Sequence, residues 1–253
     1  MPHHRLRAGR ASAALVLVIA FGTACGPAEK AETTSKKTSV PAKGSATSPA
    51  AAASNGVEKL RAADILSRAR KATAAAKSLR MRGNVEDGGE KYALDFRYSG
   101  KTKLTGWFQQ GNQRVEITRI GKDIYLKGND AFWKSIGGKG AVQVFSGKHL
   151  KTTTRSADFK DIAVFTDRTG IFNEAVKSVD TWKKGETGTV GTTPALSLTG
   201  AANEKIQVAT KGEPYVLLLD GGPGNRIEYL AYGEPVDVKR PPAGSVVDEN
   251  AFG

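Results

Sequence analysis

Few residues of this 253-residue chain carry the side chains that catalysis or metal binding needs. There is one cysteine, Cys25, and three histidines, His3, His4 and His149. A single thiol excludes an intramolecular disulfide and the zinc sites built from several thiolates. A nucleophilic triad needs a base beside a Ser or Cys. His149 is the one histidine outside the N-terminal leader, and Ser146 lies near it, but Val144 stands where a Gly-x-Ser-x-Gly elbow has its first glycine. Gly100-Lys101-Thr102 has the ending of a phosphate-binding loop, yet Asp95 occupies the place of the earlier glycine and strand-like sequence flanks both sides. The carboxylates Asp158 and Asp161 fit helix starts, where acids complement the dipole. No His-Glu-x-x-His is present. These residues predict no enzyme, no catalytic or metal site and no cofactor, and they leave His149 as a surface or core histidine.

Cys25 has surroundings that fit one reaction. His3 to Arg10 is a basic leader, Ala11 to Phe21 is an apolar run, and Gly22-Thr23-Ala24 precede the cysteine. A basic start, a short apolar stretch and small residues before a cut describe a secretory signal peptide. The apolar run falls short of the roughly 20 residues that span a bilayer. Small residues directly before the only cysteine resemble the lipobox of bacterial lipoproteins, with Gly22 where an aliphatic residue is commoner. The resemblance implies a diacylglycerol on Cys25, cleavage before it, and a mature chain anchored on the outer face of the cytoplasmic membrane. Two acyl chains, at about 0.8 kcal/mol per buried methylene, make a stable anchor.

Gly26 to Gly56 is built from Ala, Ser, Thr, Lys and Pro with no aromatic residue, and reads as a disordered tether. Flexible chain of that length has a typical span of roughly 30 Å. The expected organisation is therefore a signal peptide over 1–24, the lipidated cysteine and linker over 25–56, and a folded domain over 57–253. The net charge of +13 fits an anionic membrane surface, an acidic cell-wall polymer, or a solvated surface with no partner. Nucleic acid is excluded by the absence of a motif and by export.

Within the domain, Leu60, Ile65, Leu66, Ala69, Ala72, Ala76 and Leu79 recur at helical spacing and predict a helix over 61–78. The period then falls to two. Tyr92, Leu94, Phe96 and Tyr98 alternate with charged residues, as do Val115 with Ile117 and Ile124 with Leu126, between turns at Asp87-Gly88-Gly89, Gly111-Asn112 and Gly121-Lys122. Ala131-Phe132-Trp133 predicts a short helix, and further helices are expected near 158–165 and 168–180. Strands are expected at 186–191, 194–199, 204–210, 214–220, 226–232 and 235–239. The order helix, strands, helices, strands predicts an α+β fold: a large curved antiparallel sheet, a half-barrel, with helices on its concave face.

The lipobox, the linker, Ala63-Asp64-Ile65-Leu66, the segment Ile120 to Trp133, Gly147-Lys148, and Val208 to Leu217 together resemble the LppX/LprAFG lipoproteins, with His149 where a tryptophan is expected after the Gly-Lys pair. The resemblance covers essentially residues 57–250. It implies a fold similar to the LolA/LolB carriers and a role in binding, carrying or presenting lipids or acylated glycolipids, as a monomer. Independently, an apolar sheet face that helices leave uncovered would make a pocket for acyl chains. Tyr92, Leu94, Phe96, Tyr98, Val115, Ile117, Ile124, Leu126 and Leu217 are the candidates for that face, and each of them equally fits plain core packing. Trp107 and Trp133 fit a rim or the core. The competing reading is an anchored interaction or signalling module whose core is closed by its own side chains.

Overall fold

The computed structural model describes residues 53–87, 89–156, 164–177 and 181–252, all within the compact unit Pro49–Gly253. The signal segment, Cys25, most of the linker, and Asp158 with Asp161 lie outside the described residues.

Helix α1 (Ala62–Ala75) is alanine-rich, opens on an Arg61–Asp64 ion pair, and buries Ile65, Ala69 and Thr73 at four-residue steps. It ends three residues earlier than the periodicity predicts, because Ser78 and Leu79 enter a strand. The chain then forms a meander of β1 (Ser78–Asp87), β2 (Glu90–Ser99), β3 (Lys103–Gln110), β4 (Gln113–Ile120) and β5 (Asp123–Gly128). Helix α2 (Asp130–Phe145) follows, then β6 (His149–Thr153). After helix α3 (Gly170–Lys177) come β7 (Lys183–Val190), β8 (Thr193–Thr199), β9 (Lys205–Ala209), β10 (Val216–Asp220) and β11 (Arg226–Leu230). A short β12 (Val246–Asp248) is the last strand.

These strands make one twelve-stranded sheet in the order β12-β6-β5-β4-β3-β2-β1-β11-β10-β9-β8-β7. The two meanders join in the middle, where β1 pairs antiparallel with β11, and the one parallel pair is β12 with β6. The sheet is open: β12 and β7 are its two edges. The fold is α+β, as the alternation of periods predicts. Of the predicted strands, 235–239 does not form. It holds Pro235, and residues 231–242 make no ladder. β1, β6 and β12 were not legible as strands.

Pairing registers place Leu79, Met81, Leu94, Phe96, Tyr98, Leu104, Val115, Ile117, Leu126 and Leu150 on one face. A single core cluster runs along this face from Leu150 in β6 to Leu198 in β8, and takes in Ile65 and Ala69 of α1, Trp133 of α2 and Phe172 of α3. All three helices thus cover the same, concave side. A Cβ at Gly106 would run into the Asp95 carbonyl and the Phe96 ring, so only a bare backbone fits where β3 crosses β2.

Helix α2 runs well past the predicted Ala131-Phe132-Trp133. Asn129 caps it, accepting from the Phe132 N–H at 2.9 Å. The helix is broken at Gly137 and Gly138, the latter at φ +64°, so the chain turns and brings Phe145 back onto Trp133, with ring centroids 4.7 Å apart. Packing of these aromatics offsets the poor helix propensity of the glycine-rich middle.

The last residues of the expected linker belong to the domain. Ser54 bridges Lys211, Gly212 N–H donates to the Ala53 carbonyl at 2.9 Å, and the Asn55 side chain donates to the Ala209 carbonyl at 2.9 Å. A polar stretch with no core residue is held here by backbone hydrogen bonds, which composition does not register.

Candidate functional site

Eight of the nine residues predicted for the inner face do share it. Tyr92, Leu94, Phe96 and Tyr98 of β2 align through β3 with Val115 and Ile117 of β4, and these with Ile124 and Leu126 of β5. All but Tyr92 are buried. Leu217 is the exception and corrects the expectation. A bulge between Val216 and Leu218 breaks the alternation of β10. Val216 and Leu219 therefore join the main core, while Leu217 packs in a separate cluster with Ala195 and Ala209. Trp133 is 1% exposed and lies in the core. Trp107 is on the opposite face, paired with Asp95 and Glu116, with the Arg114 guanidinium 4.0 Å above its ring.

The space over the central strands is occupied by the chain itself. Phe165 lies 4.7 Å from the Phe108 ring and 5.9 Å from that of Phe96, and its carbonyl accepts the Tyr98 hydroxyl at 2.7 Å. Arg119 of β4 donates to the Thr166 carbonyl at 3.3 Å. The connection from β6 to β7 must pass from one side of the sheet to the other, and these contacts lay Phe165 and Thr166 on the concave face. Beside it, the Tyr232 hydroxyl donates to the Val216 carbonyl at 2.6 Å, and Thr73 accepts from the Val216 N–H at 3.1 Å. Burial holds the Tyr98 and Tyr232 phenols protonated, far above their ordinary range, so both act as donors.

Open apolar volume lies instead between α1 and α3. A groove of about 750 Å³ has Leu66, Ala74, Phe172 and Val176 as its apolar lining and Arg70, Lys71 and Lys177, with the acids Asp167 and Glu174, as its charged lining. That volume falls in the range of ligand sites, about 300–1,000 Å³. Lys177 is paired with Glu174 at 2.9 Å, while Arg70 and Lys71 are in no ion pair among the described residues. Sequence reasoning missed this groove. Its residues were read as two separate amphipathic helices, and only the crossing of the β6–β7 connection sets them side by side. A second hollow, of about 430 Å³, lies over β7–β9 and is lined by Thr187, Thr189, Ser197, Thr199 and Gln207, among other polar residues.

The other residues singled out for chemistry are dispersed. The Ser146 hydroxyl donates to Asp130 at 2.9 Å. His149 faces Ser245 instead, 3.3 Å from Nδ1, but that hydroxyl donates to the Pro242 carbonyl at 2.8 Å. Burial, then the Lys127 charge, lowers the His149 pKa below its ordinary value. Gly100-Lys101-Thr102 is the turn joining β2 to β3, with no helix after it. Among the described residues, no three His, Cys, Asp or Glu side chains gather where a metal could bind, and no helix is long and apolar enough to cross a membrane.

No protein-family model and no curated protein matches this chain.

Proposed function

We propose that this chain is a lipid-anchored envelope protein of the LppX/LprAFG kind that binds the acyl part of an anionic lipid or glycolipid and is not an enzyme. The observation that carries the reading is the α1–α3 groove: an apolar lining beside Arg70 and Lys71, which are in no ion pair among the described residues. An acyl chain on Leu66, Ala74 and Val176 leaves water at about 25 cal/mol per Å² buried, and an anionic head beside Arg70 and Lys71 gains further at low ionic strength. Cys25, as diacylglyceryl cysteine, would keep the domain at the membrane from which such a lipid is taken, and the basic balance of the chain favours anionic head groups. The binding volume in this reading is a cleft between helices rather than a chamber over the sheet.

The test is extraction of the protein from its native host followed by mass spectrometry, together with uptake of a fluorescent acyl probe by wild type and Ala74→Trp. Ala74 lies on the groove wall, so an indole there fills the groove from its lining. Expected are a co-purifying lipid and a tenfold or greater loss of probe affinity in Ala74→Trp at unchanged stability. Absence of lipid and of probe uptake in the wild type would sink the proposal.

One observation favours a second reading, an anchored interaction module. The concave face is closed by its own side chains, with Leu94, Phe96, Ile117 and Leu126 all 2% exposed or less. That reading predicts a specific protein captured by cross-linking in cells and no lipid in the extract.

A further inference from the structure

Among the described residues, Ile136 is the one large hydrophobic side chain left exposed, at 54%. It sits at the tip of the broken helix α2. The base of that helical hairpin is fixed: Trp133 is buried, Phe145 packs on it, and the Ser146 hydroxyl donates to Asp130 at 2.9 Å. Ser135 ties the first arm to the start of β4, 2.7 Å from the Gln113 side-chain oxygen. The tip itself is bare. Every residue from Lys134 to Gly140 is exposed, and a Cβ at Gly138 or Gly140 would meet nothing within 4 Å. The tip therefore adds no core to the fold, while Gly137, Gly138 and Gly140 weaken it as a helix.

Its charge is of one sign. Residues 131–148 hold Lys134, Lys139 and Lys148 and no Asp or Glu. All three lysines are exposed, and none is in an ion pair among the described residues. Asp130, the acid before this stretch, lies at the hairpin base and accepts from Ser146. A single exposed aliphatic residue is ordinary on a protein surface. This one stands between two unpaired lysines on a tip that packs against nothing, and that combination selects among partners. A protein partner is met by a packed apolar patch with aromatic anchors, whereas the tip offers one aliphatic side chain among glycines. A bilayer interface asks for no shape match. It takes an aliphatic side chain below the head groups, and flanking lysines keep their ammonium groups at the phosphates while their stems lie in the apolar layer.

We infer that the α2 tip is a membrane-contact site, which seats Ile136 in the interface of an anionic bilayer with Lys134, Lys139 and Lys148 on the lipid phosphates. Each lysine and each buried methylene adds a modest increment, so the contact serves a chain already held close to that surface. The proposed anchor on Cys25 does this, through a linker short enough to keep the effective concentration in the millimolar range. The inference rests on the anchored reading for nearness alone and not on the α1–α3 groove. It also says which end of the domain faces the bilayer: that of the Gly111-Asn112 turn, to which Ser135 with Gln113 and Asn129 with the Asn112 carbonyl tie α2.

The experiment uses the full chain with Cys25→Ser, which removes the anchor and the native thiol together, so that Ile136→Cys carries the only thiol. Its rate of alkylation by iodoacetamide, followed by mass spectrometry, is compared with that of Lys101→Cys, an exposed position in the turn before β3, at the other end of the sheet. Vesicles of phosphatidylcholine, alone or mixed with phosphatidylglycerol, are added. On the mixed vesicles the thiol of Ile136→Cys should react about fivefold or more slowly, on phosphatidylcholine at its free rate, and that of Lys101→Cys at its free rate on both. Lys134→Glu with Lys139→Glu should restore the free rate, as should high salt. A rate for Ile136→Cys that vesicles leave unchanged overturns the inference. So does equal slowing of Lys101→Cys, which means that the chain coats the bilayer without using the tip, or slowing that survives the charge reversal. A rate that falls with protein concentration in the absence of vesicles assigns the tip to a second copy of this chain and rejects the membrane. Should the double reversal fail to fold, Lys139→Gln takes its place, and undiminished slowing in it refutes the site. With no anchor and no ligand present, the result stands apart from fatty-acid labelling of Cys25 and from lipid extraction, which decide the proposed function separately.

Discussion

Phe165→Ala separates a filled concave face from an empty one. The ring sits against Phe96 and Phe108, 5.9 and 4.7 Å between centroids, where an acyl chain over the sheet would have to lie. Phe→Ala at a fully buried site costs about 3–5 kcal/mol. Phe165 is partly exposed, so roughly half of that, about 2 kcal/mol, belongs to lost burial. The two aromatic contacts add about 0.5–1.5 kcal/mol each, though they overlap with burial. The Tyr98 bond goes to the Phe165 backbone carbonyl and survives the change. The expected loss is therefore about 2–4 kcal/mol. For a domain of this size that lowers the melting temperature by roughly 5–15 °C, at about 2–4 °C per kcal/mol. Urea denaturation followed by tryptophan fluorescence measures it, with Ile136→Ala, 54% exposed, as the neutral control. Phe165→Ala should also open apolar space above β2 and β3 and raise uptake of acyl probes. A loss below about 1 kcal/mol, no larger than an ordinary surface change, would mean that the β6–β7 connection does not pack on the sheet as described.

On the convex face, Arg80 donates twice to Asp95, by Nε at 2.8 Å and through a second, shorter contact from Nη2. Burial alone would raise the Asp95 carboxyl, but the Arg80 hydrogen bond and charge, with Arg97 and Arg82 further off, hold it below its ordinary value. A lowered folded pKa means that this stabilisation is complete above the unfolded value near 3.9 and fades as pH falls through the folded one. Asp95→Asn should therefore lose about 1–2 kcal/mol at neutral pH, and the gap from wild type should close in acid; a constant gap down to pH 2 would contradict the pairing. His149 should titrate, by NMR, below the usual midpoint of about 6.5, because burial disfavours its cation. Its contribution to stability is then full above that pH and declines as pH falls below it, so a midpoint above 6.5 rejects the assignment. Cys25→Ser should move the protein from the membrane to the soluble fraction and abolish labelling by a radioactive fatty acid; equal labelling of the two forms would remove the anchor.

The sequence by itself determined which segments are strands or helices wherever periodicity was long and clean. Tyr92 to Tyr98 alternates over a whole strand, and the inner face of β2, β4 and β5 follows from side-chain alternation alone. The bulge that turns Leu217 to the other cluster was not legible, because one inserted residue leaves the apolar pattern of Val216 to Leu219 unchanged. Nor was the path of the β6–β7 connection, which brings Phe165 over β2 and β3, sets Arg168 under the end of α1, and lays α3 beside α1 to form the groove. Local propensity acts over a few residues, whereas these contacts join positions such as Ala76 and Arg168, 92 apart in the chain. Only the packing of the helices and the β6–β7 connection on the twelve-stranded sheet decides which of the many apolar and basic side chains meet.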